Sequence, residues 1–197
     1  MSVTLEHLVA ACESDPESGA DAVPAVAPLA SPEALLAHEP RIRRLVHRLL
    51  GWASARDVDD VVQDVFLAAW RYRRTFRGDA TFATWLHRIA VRKVQSHARW
   101  RAVRVRWFGG RAAAEPDASP APEAACPVEQ ADEVRAVRAA MAGLPHRDRE
   151  VLVLRYLEAR PVEDVARLLG LRRAAVDARL SRARTKLRAA LGRGDER

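Results

Sequence analysis

Charge alternates along this chain in long blocks, and that alternation limits what it can fold into more than any single motif does. Residues 1–40 carry seven acids and no Lys or Arg, and residues 41–111 carry 17 bases and five acids. Residues 112–131 carry four acids and no base, and residues 132–197 carry 16 bases and ten acids. In the two acid-only blocks the apolar residues are mostly small and interleaved with proline. Most of that sequence cannot bury enough surface to offset chain entropy. Order must therefore come from two separate basic modules on a tether, a pattern suited to polyanion binding. Glycine accounts for nine of 197 residues, and Ala, Leu, Arg and Glu dominate the patterned stretches, which favours helix over sheet. The expected architecture is all-α. A disordered acidic tail (1–30) precedes a first helical domain (31–106), a flexible linker (107–131), a second helical domain (132–192) and a short tail (193–197).

Apolar spacing places the helices. Ser31-Pro32-Glu33 is a helix-opening triplet, and Leu35, Leu36, Ile42, Leu45, Val46, Leu49 and Leu50 follow at helical spacing, with Pro40 expected to bend or interrupt the run. A second helix is expected from about Val58 to Arg73, burying Val58, Val61, Val62, Val65, Phe66 and Ala69. The segment 74–81, with Gly78-Asp79, reads as a loop. A third helix, from about Phe82 to Val103, buries Phe82, Trp85, Leu86, Ile89 and Val94. The last block is expected to hold four helices, over 132–144, 146–157, 162–169 and 172–191.

No apolar run approaches the roughly 20 residues that cross a bilayer, and the base-free N-terminus is unlike a signal peptide. A cytoplasmic protein without membrane insertion is expected. Cys12 and Cys126 form no CxxC pair and belong to no His/Cys cluster with zinc spacing, so two free thiols are the simpler reading. No cofactor and no metal are expected. Nor is an enzyme, for the chain has no phosphate-binding glycine loop, no HExxH and no nucleophile elbow.

The stretch Val162–Gly170 and its continuation to Arg184 has the form of a helix-turn-helix. Val165, Ala166, Leu169, Leu171, Val176 and Leu180 supply apolar contacts, Ala166 allows close approach, and Gly170 permits a left-handed turn. The second helix presents Arg172, Arg173, Arg179, Arg182, Arg184, Lys186 and Arg188, side chains able to reach guanine edges or phosphates. A plain helical hairpin imitates this pattern.

The run Leu144-Pro145-His146-Arg147-Asp148-Arg149-Glu150-Val151-Leu152-Val153-Leu154-Arg155-Tyr156-Leu157-Glu158, followed by that helix-turn-helix, resembles region four of extracytoplasmic-function sigma factors. Asp57 through Trp70 resembles the core-binding helix of that family's region two, and Phe76-Arg77-Gly78-Asp79 through Phe82–Ala90 resembles its promoter-melting segment. Both domains match in the family's order, over about residues 33–105 and 132–191. The resemblance implies an alternative sigma factor. Such a protein binds core RNA polymerase, recognises the −35 and −10 elements of promoter DNA, and is often held by an anti-sigma factor.

It also implies roles for residues. Asp60, Gln63 and Asp64 would meet the polymerase. An acidic face there suits a basic protein partner better than phosphate-rich DNA, although a solvated helix face is the alternative. Phe76, Arg77, Gly78 and Asp79 would shape the −10 loop, with Arg88, Arg92, Lys93 and Arg99 holding the backbone. Arg172, Arg173, Val176, Asp177, Arg179, Arg182, Arg184 and Lys186 would meet the −35 duplex. Trp100 and Trp107 are open between covering the helix end and touching DNA. The chain departs from the family at Arg92 and Ser96, where Asn and Asp are common, at Asp177, where a basic or polar residue is usual, and at Arg172, where a small residue is usual. The family's promoter sequence is therefore not carried over.

Two other classes compete. A conventional regulator could use the same helix-turn-helix without docking on polymerase, and would usually dimerise. An adaptor that binds no DNA would not need the basic helix.

Overall fold

The computed structural model describes residues 35–78, 80–108 and 128–192. The expectations for the acidic tail, the Ser31 cap, Asp79, both cysteines and the residues past 192 lie outside them, as does most of the linker. The described residues form two compact units, one on each side of residues 109–127, and contain helices and turns but no strand.

The first unit has three main helices: α1 (Glu39–Leu50), α2 (Ala55–Tyr72) and α3 (Phe82–Phe108). The helical run expected from residue 33 breaks at Ala37-His38 and restarts at Glu39. Pro40 sits in the first turn of α1, where it forfeits no helical hydrogen bond. The chain leaves α1 through Gly51 at φ 78°. Ser54 caps α2 by accepting from the Asp57 N–H. Each helix turns one apolar stripe inward: Ile42, Leu45, Val46 and Leu49; Val58, Val61, Val62, Val65 and Ala69; Phe82, Leu86, Ala90, Val91 and Val94. Val91 and Ala90 were not foreseen, whereas Ile89, Trp85 and Phe66 are only half-buried. In a 27-residue helix the stripe rotates slowly, so choosing the buried residue in each turn from spacing alone errs by one place.

The second unit contains α4 (Val128–Ala142), α5 (His146–Leu152) with a π turn over Val153–Leu157, α6 (Val162–Leu169) and α7 (Arg173–Gly192). The tether is shorter than expected, because α3 runs to Phe108 and α4 starts at Val128. Nothing in 104–108 breaks a helix, and Pro127 followed by Glu129 suits a helix start. The continuous helix expected to Leu157 widens into the π turn, then leaves through Ala159 at φ 48°. The core comprises Val137, Met141, Leu144, Val151, Leu152, Val153 and Leu154 with Val165, Leu168, Val176, Leu180, Ala183 and Leu187. Leu168 takes the buried place that spacing gave to Leu169.

Three charged residues of α5 are also buried, Asp148, Arg149 and Glu150. Arg149 Nη1 donates to the carbonyls of Ala142 (2.9 Å) and Leu144 (3.1 Å), with Met141 O at 3.5 Å. It thereby closes the C-terminal end of α4, whose last carbonyls lack helical partners.

Candidate nucleic-acid interface

In the second unit, α6 and α7 meet at a left-handed turn. Gly170 has φ 65°, its N–H bonds to Ala166 O, and Leu171 N–H reaches the same carbonyl at 2.9 Å. No atom lies within 4 Å of a Cβ built on Gly170, so backbone conformation rather than space demands glycine. Ala166 is buried where the two helices meet, as expected of a small residue there.

The candidate −35 residues of α7 do not form one patch. Val176 is fully buried, so it supports the helix and cannot face a groove. The remainder fall on two flanks by helical spacing. Arg179, Arg182 and Lys186 follow one edge, while Arg173, Asp177 and Arg184 follow the other, which Arg188 continues. Ala174, Ala178, Ser181 and Thr185 are exposed between them. Lys186 is committed elsewhere: its Nζ is 2.5 Å from Oδ2 of the nearly buried Asp148, tying α7 to α5. Asp177, odd for a DNA-facing helix, lies 3.8 Å from Arg173, which also pairs with Glu163 of α6 at 2.8 Å. Arg172 is exposed ahead of α7, and its carbonyl accepts from Ala175 and Val176 N–H.

In the first unit, Thr81 caps α3, its Oγ1 accepting from Thr84 N–H at 3.2 Å. The loop before it is anchored by aromatic packing. Phe76 lies edge-on to Phe82 (5.8 Å) and against Trp85 (5.7 Å), and His38 covers the other side of Phe82 at 5.2 Å. Phe76 is thus a loop anchor, leaving Arg77 and Gly78 at the exposed tip. Gly78 has φ 78° with open space around it. On α3, Arg92 and Arg99 are exposed and Arg88 is half-buried.

Lys93 and Asp64, expected to serve different partners, lie 3.6 Å apart, and Arg101 and Asp57 make a second α3–α2 pair at 3.6 Å. Asp60, Gln63 and Asp64 are exposed on α2. The same stripe continues through Leu67 (60 % exposed) and Trp70 (37 % exposed). The Arg73 guanidinium stacks 4.0 Å over the Trp70 ring. Sequence reasoning missed this apolar half. Its signal is available, because positions 60, 63, 67 and 70 share a face away from the buried valines.

His97 of α3 lies beside the same acids. Burial pushes its imidazole below the ordinary histidine value, and nearby Arg101 reinforces this while Asp57, Asp60 and Asp64 oppose it. Below an unfolded value of 6.5 the unfolded chain therefore binds more protons than the folded one. The first unit should lose stability as pH falls through about 6.5, and His97→Gln should flatten that dependence. Denaturant titrations from pH 5 to 8, read by tryptophan fluorescence, check this. Among the described residues no cluster of His, Cys, Asp or Glu could hold a metal ion.

Family models match both units: sigma-70 region 2 over residues 35–103 and sigma-70 region 4 over residues 134–187. The RNA polymerase sigma factor CnrH of Cupriavidus metallidurans is 36% identical over 148 residues, covering 72% of this chain and 76% of that protein. SigM of Mycobacterium tuberculosis, an ECF RNA polymerase sigma factor, is 34% identical over 77% of this chain and 74% of its own length. This chain belongs to the extracytoplasmic-function sigma factors. The probable sigma factor RfaY of Xanthomonas campestris is 40% identical over 69% of this chain, but the match spans only 35% of that longer protein. The solved structure of CnrH in complex with the cytosolic domain of CnrY matches with a TM-score of 0.55 at 28% identity, covering 96% of this chain and 98% of that one. The helix-turn-helix of this sigma factor thus lies within its region four, and the Phe76 loop and the α2 face within its region two.

Proposed function

We propose that this sigma factor docks on core RNA polymerase through the exposed face of α2 and opens the −10 region with the 76–80 loop and α3. In this reading it holds the −35 duplex with α7 and carries out no bond chemistry itself. One observation supports this most: a single small bundle carries two chemically opposite surfaces. The outer face of α2 offers Asp60, Gln63 and Asp64 followed by Leu67 and Trp70, which suits a basic, partly apolar protein surface. From Thr81 to Arg111, the span that contains α3, the sequence has eight bases and no acid, which suits phosphate. On α7 the two charged flanks would meet opposite walls of the major groove, with Ala174, Ala178 and Ser181 letting the helix approach its floor. A tethered pair of weak sites gains affinity through effective concentration.

The protein would act in the cytoplasm, where its polymerase is. No helix among the described residues is long and apolar enough to cross a membrane. The family resemblance implies an anti-sigma partner, and CnrH is solved in complex with a protein domain, that of CnrY; such a partner is proposed here too, and a pull-down from uninduced cells that recovers only core polymerase counts against it. The acidic N-terminal tail is proposed to shield the basic faces of the free protein. Deleting residues 1–30 should then raise DNA affinity at low salt, and unchanged affinity overturns the idea.

In-vitro transcription with sigma-free core polymerase over a genomic promoter library tests the whole reading. Specific transcripts that depend on the added chain are expected. No transcript together with no attachment to core overturns it. In the same assay Arg179→Ala with Arg182→Ala should weaken promoter binding about tenfold or more, while core binding stays within about twofold. Loss of core binding instead would overturn the division of labour.

A further inference from the structure

The C-terminal half of α3 leaves an apolar face in water. Trp100 is 55 % exposed, Val103 54 % and Trp107 78 %. Spacings of three, four and seven residues put them on one side of the helix. The Arg104 guanidinium stacks over the Trp100 ring at 4.7 Å, and Arg99 and Arg104 are exposed beside it. A patch with two tryptophans is costly to leave uncovered and marks an interaction surface. The free chain, before polymerase or promoter is engaged, therefore needs a cover for it.

Charge narrows the choice of cover. From Thr81 to Arg111 the chain has eight bases and no acid. A second copy would set the same bases against each other. The occupant must be acidic, and it must carry large apolar side chains to lie on the indoles. The chain holds two acid-only stretches. The one after α3, residues 112–127, has acids, alanines and prolines but no Val, Leu, Ile, Met or aromatic residue. The N-terminal one has both components. Leu5, Leu8, Val9 and Cys12 recur at spacings of three, four and seven, the repeat of one helical face. Glu6, Glu13, Asp15 and Glu17 lie among and after them, with no Lys or Arg.

We infer that residues 4–17 seat on the Trp100–Val103–Trp107 face of α3 in the free chain and mask Arg99 and Arg104 from nucleic acid. The length of the chain fits. Leu35, the first of the described residues, is buried, and nearby His38 packs 5.2 Å from Phe82 at the N-terminal end of α3. Trp100 lies 18 residues along the helix from Phe82 and Trp107 lies 25, about 27 and 37 Å. The 23 residues from Cys12 to Leu35 span about 26 Å on a random-walk average and about 75 Å fully extended. A tether whose average length matches the span gives the highest effective concentration, on the order of millimolar. A contact too weak to hold a free peptide can then still cover the face. This gives the shielding proposed for the tail a definite seat, and rests on that shielding. The apolar ridge adds what charge alone does not, a fixed place and persistence in salt that screens the acids.

The test crosslinks the full chain at its own thiol. Cys12 lies on the ridge, and Cys126→Ser leaves it the single native cysteine. A second thiol is placed on the face by Val103→Cys or, as a control, by Ala102→Cys, at an exposed position that points away from the face. With oxidised glutathione at low chain concentration, the disulfide from Cys12 to position 103 should close about tenfold or more faster than that to position 102. Leu5→Ser with Leu8→Ser leaves every charge in place and should bring the two rates together. In the otherwise native chain the same pair of changes should raise affinity for a labelled 20-base-pair duplex about threefold or more at about 0.15 M salt. Equal closure rates at 103 and 102 overturn the seat. If deleting residues 1–30 still raises duplex affinity in that case, the tail shields by charge alone. Disulfide-linked dimers in place of closed monomers would assign the face to a second copy and also overturn it. Fast closure with duplex affinity unmoved by the serine changes overturns the masking. Neither measurement involves polymerase, so a chain that closes as expected but fails to join core polymerase sinks the sigma reading and supports this one.

Discussion

Replacing Arg149 with alanine is expected to destabilise the second unit by about 3–5 kcal/mol. Arg149 is 8 % exposed, and its guanidinium spans the last carbonyls of α4 and the Leu144 carbonyl beyond it. Taking a charge out of water is compensated here by aimed carbonyl dipoles at the negative end of a helix. Alanine removes that compensation from the carbonyl side and leaves a void beside Met141 and Leu144, so the loss includes both orphaned acceptors and a cavity. Lysine restores charge but not the planar fork and should recover at most about half of the loss. The measurement is clean because all five tryptophans, Trp52, Trp70, Trp85, Trp100 and Trp107, precede the second unit. In a urea titration of the full chain, tryptophan fluorescence follows the first unit and far-ultraviolet circular dichroism follows both. Arg149→Ala should move the dichroism transition and leave the fluorescence transition in place. A shift below about 1 kcal/mol would mean that the carbonyls are satisfied without it.

Arg149 also marks where the sequence stops being legible. His146-Arg147-Asp148-Arg149-Glu150 looks like a solvated start to a helix, yet three of its five residues are buried. Nothing in the local pattern distinguishes Arg147, which is exposed, from Arg149, which closes a helix that ends several residues earlier. The difference is tertiary. By contrast the helices themselves were legible, since valine and leucine at spacings of three and four leave little choice of inward face. So was the Gly170 turn, where a short helix must reverse. At the candidate sites, residue type was legible but pairing was not. Lys93 and Asp64 belong to different helices, as do Lys186 and Asp148, and only packing brings each pair together. Val176 was given two incompatible roles, and its complete burial leaves the structural one. Leu67 and Trp70 lay outside the buried stripe read from the spacing, but the outer face of α2 was read for its charged and polar residues alone, so its apolar half went unnoticed.

The face that holds Leu67 and Trp70 carries the second large effect. Changing Asp60 and Asp64 to lysine is expected to weaken binding to core polymerase by about 3–4 kcal/mol, a few hundredfold, because like charges placed across a basic interface cost several kcal/mol. Part of that could arise within the chain, since Asp64→Lys also sets a cation beside Lys93, 3.6 Å from the present carboxylate. Asp64 is well exposed, so this internal part is screened and small. Asp60→Asn with Asp64→Asn separates the two. It removes attraction without adding repulsion and should cost core binding about 1–2 kcal/mol. Leu67→Ala tests the apolar half of the same surface and should weaken core binding about tenfold with little change in stability, because the side chain is 60 % exposed. Titration of labelled full-length chain with core polymerase gives all three values, and binding of the same variants to a −35 duplex supplies the control. Duplex affinity should hold or rise slightly in the lysine variant, since added positive charge attracts phosphate. If core affinity is unmoved by charge reversal, the acids of α2 are an ordinary solvated face and the polymerase must be gripped elsewhere.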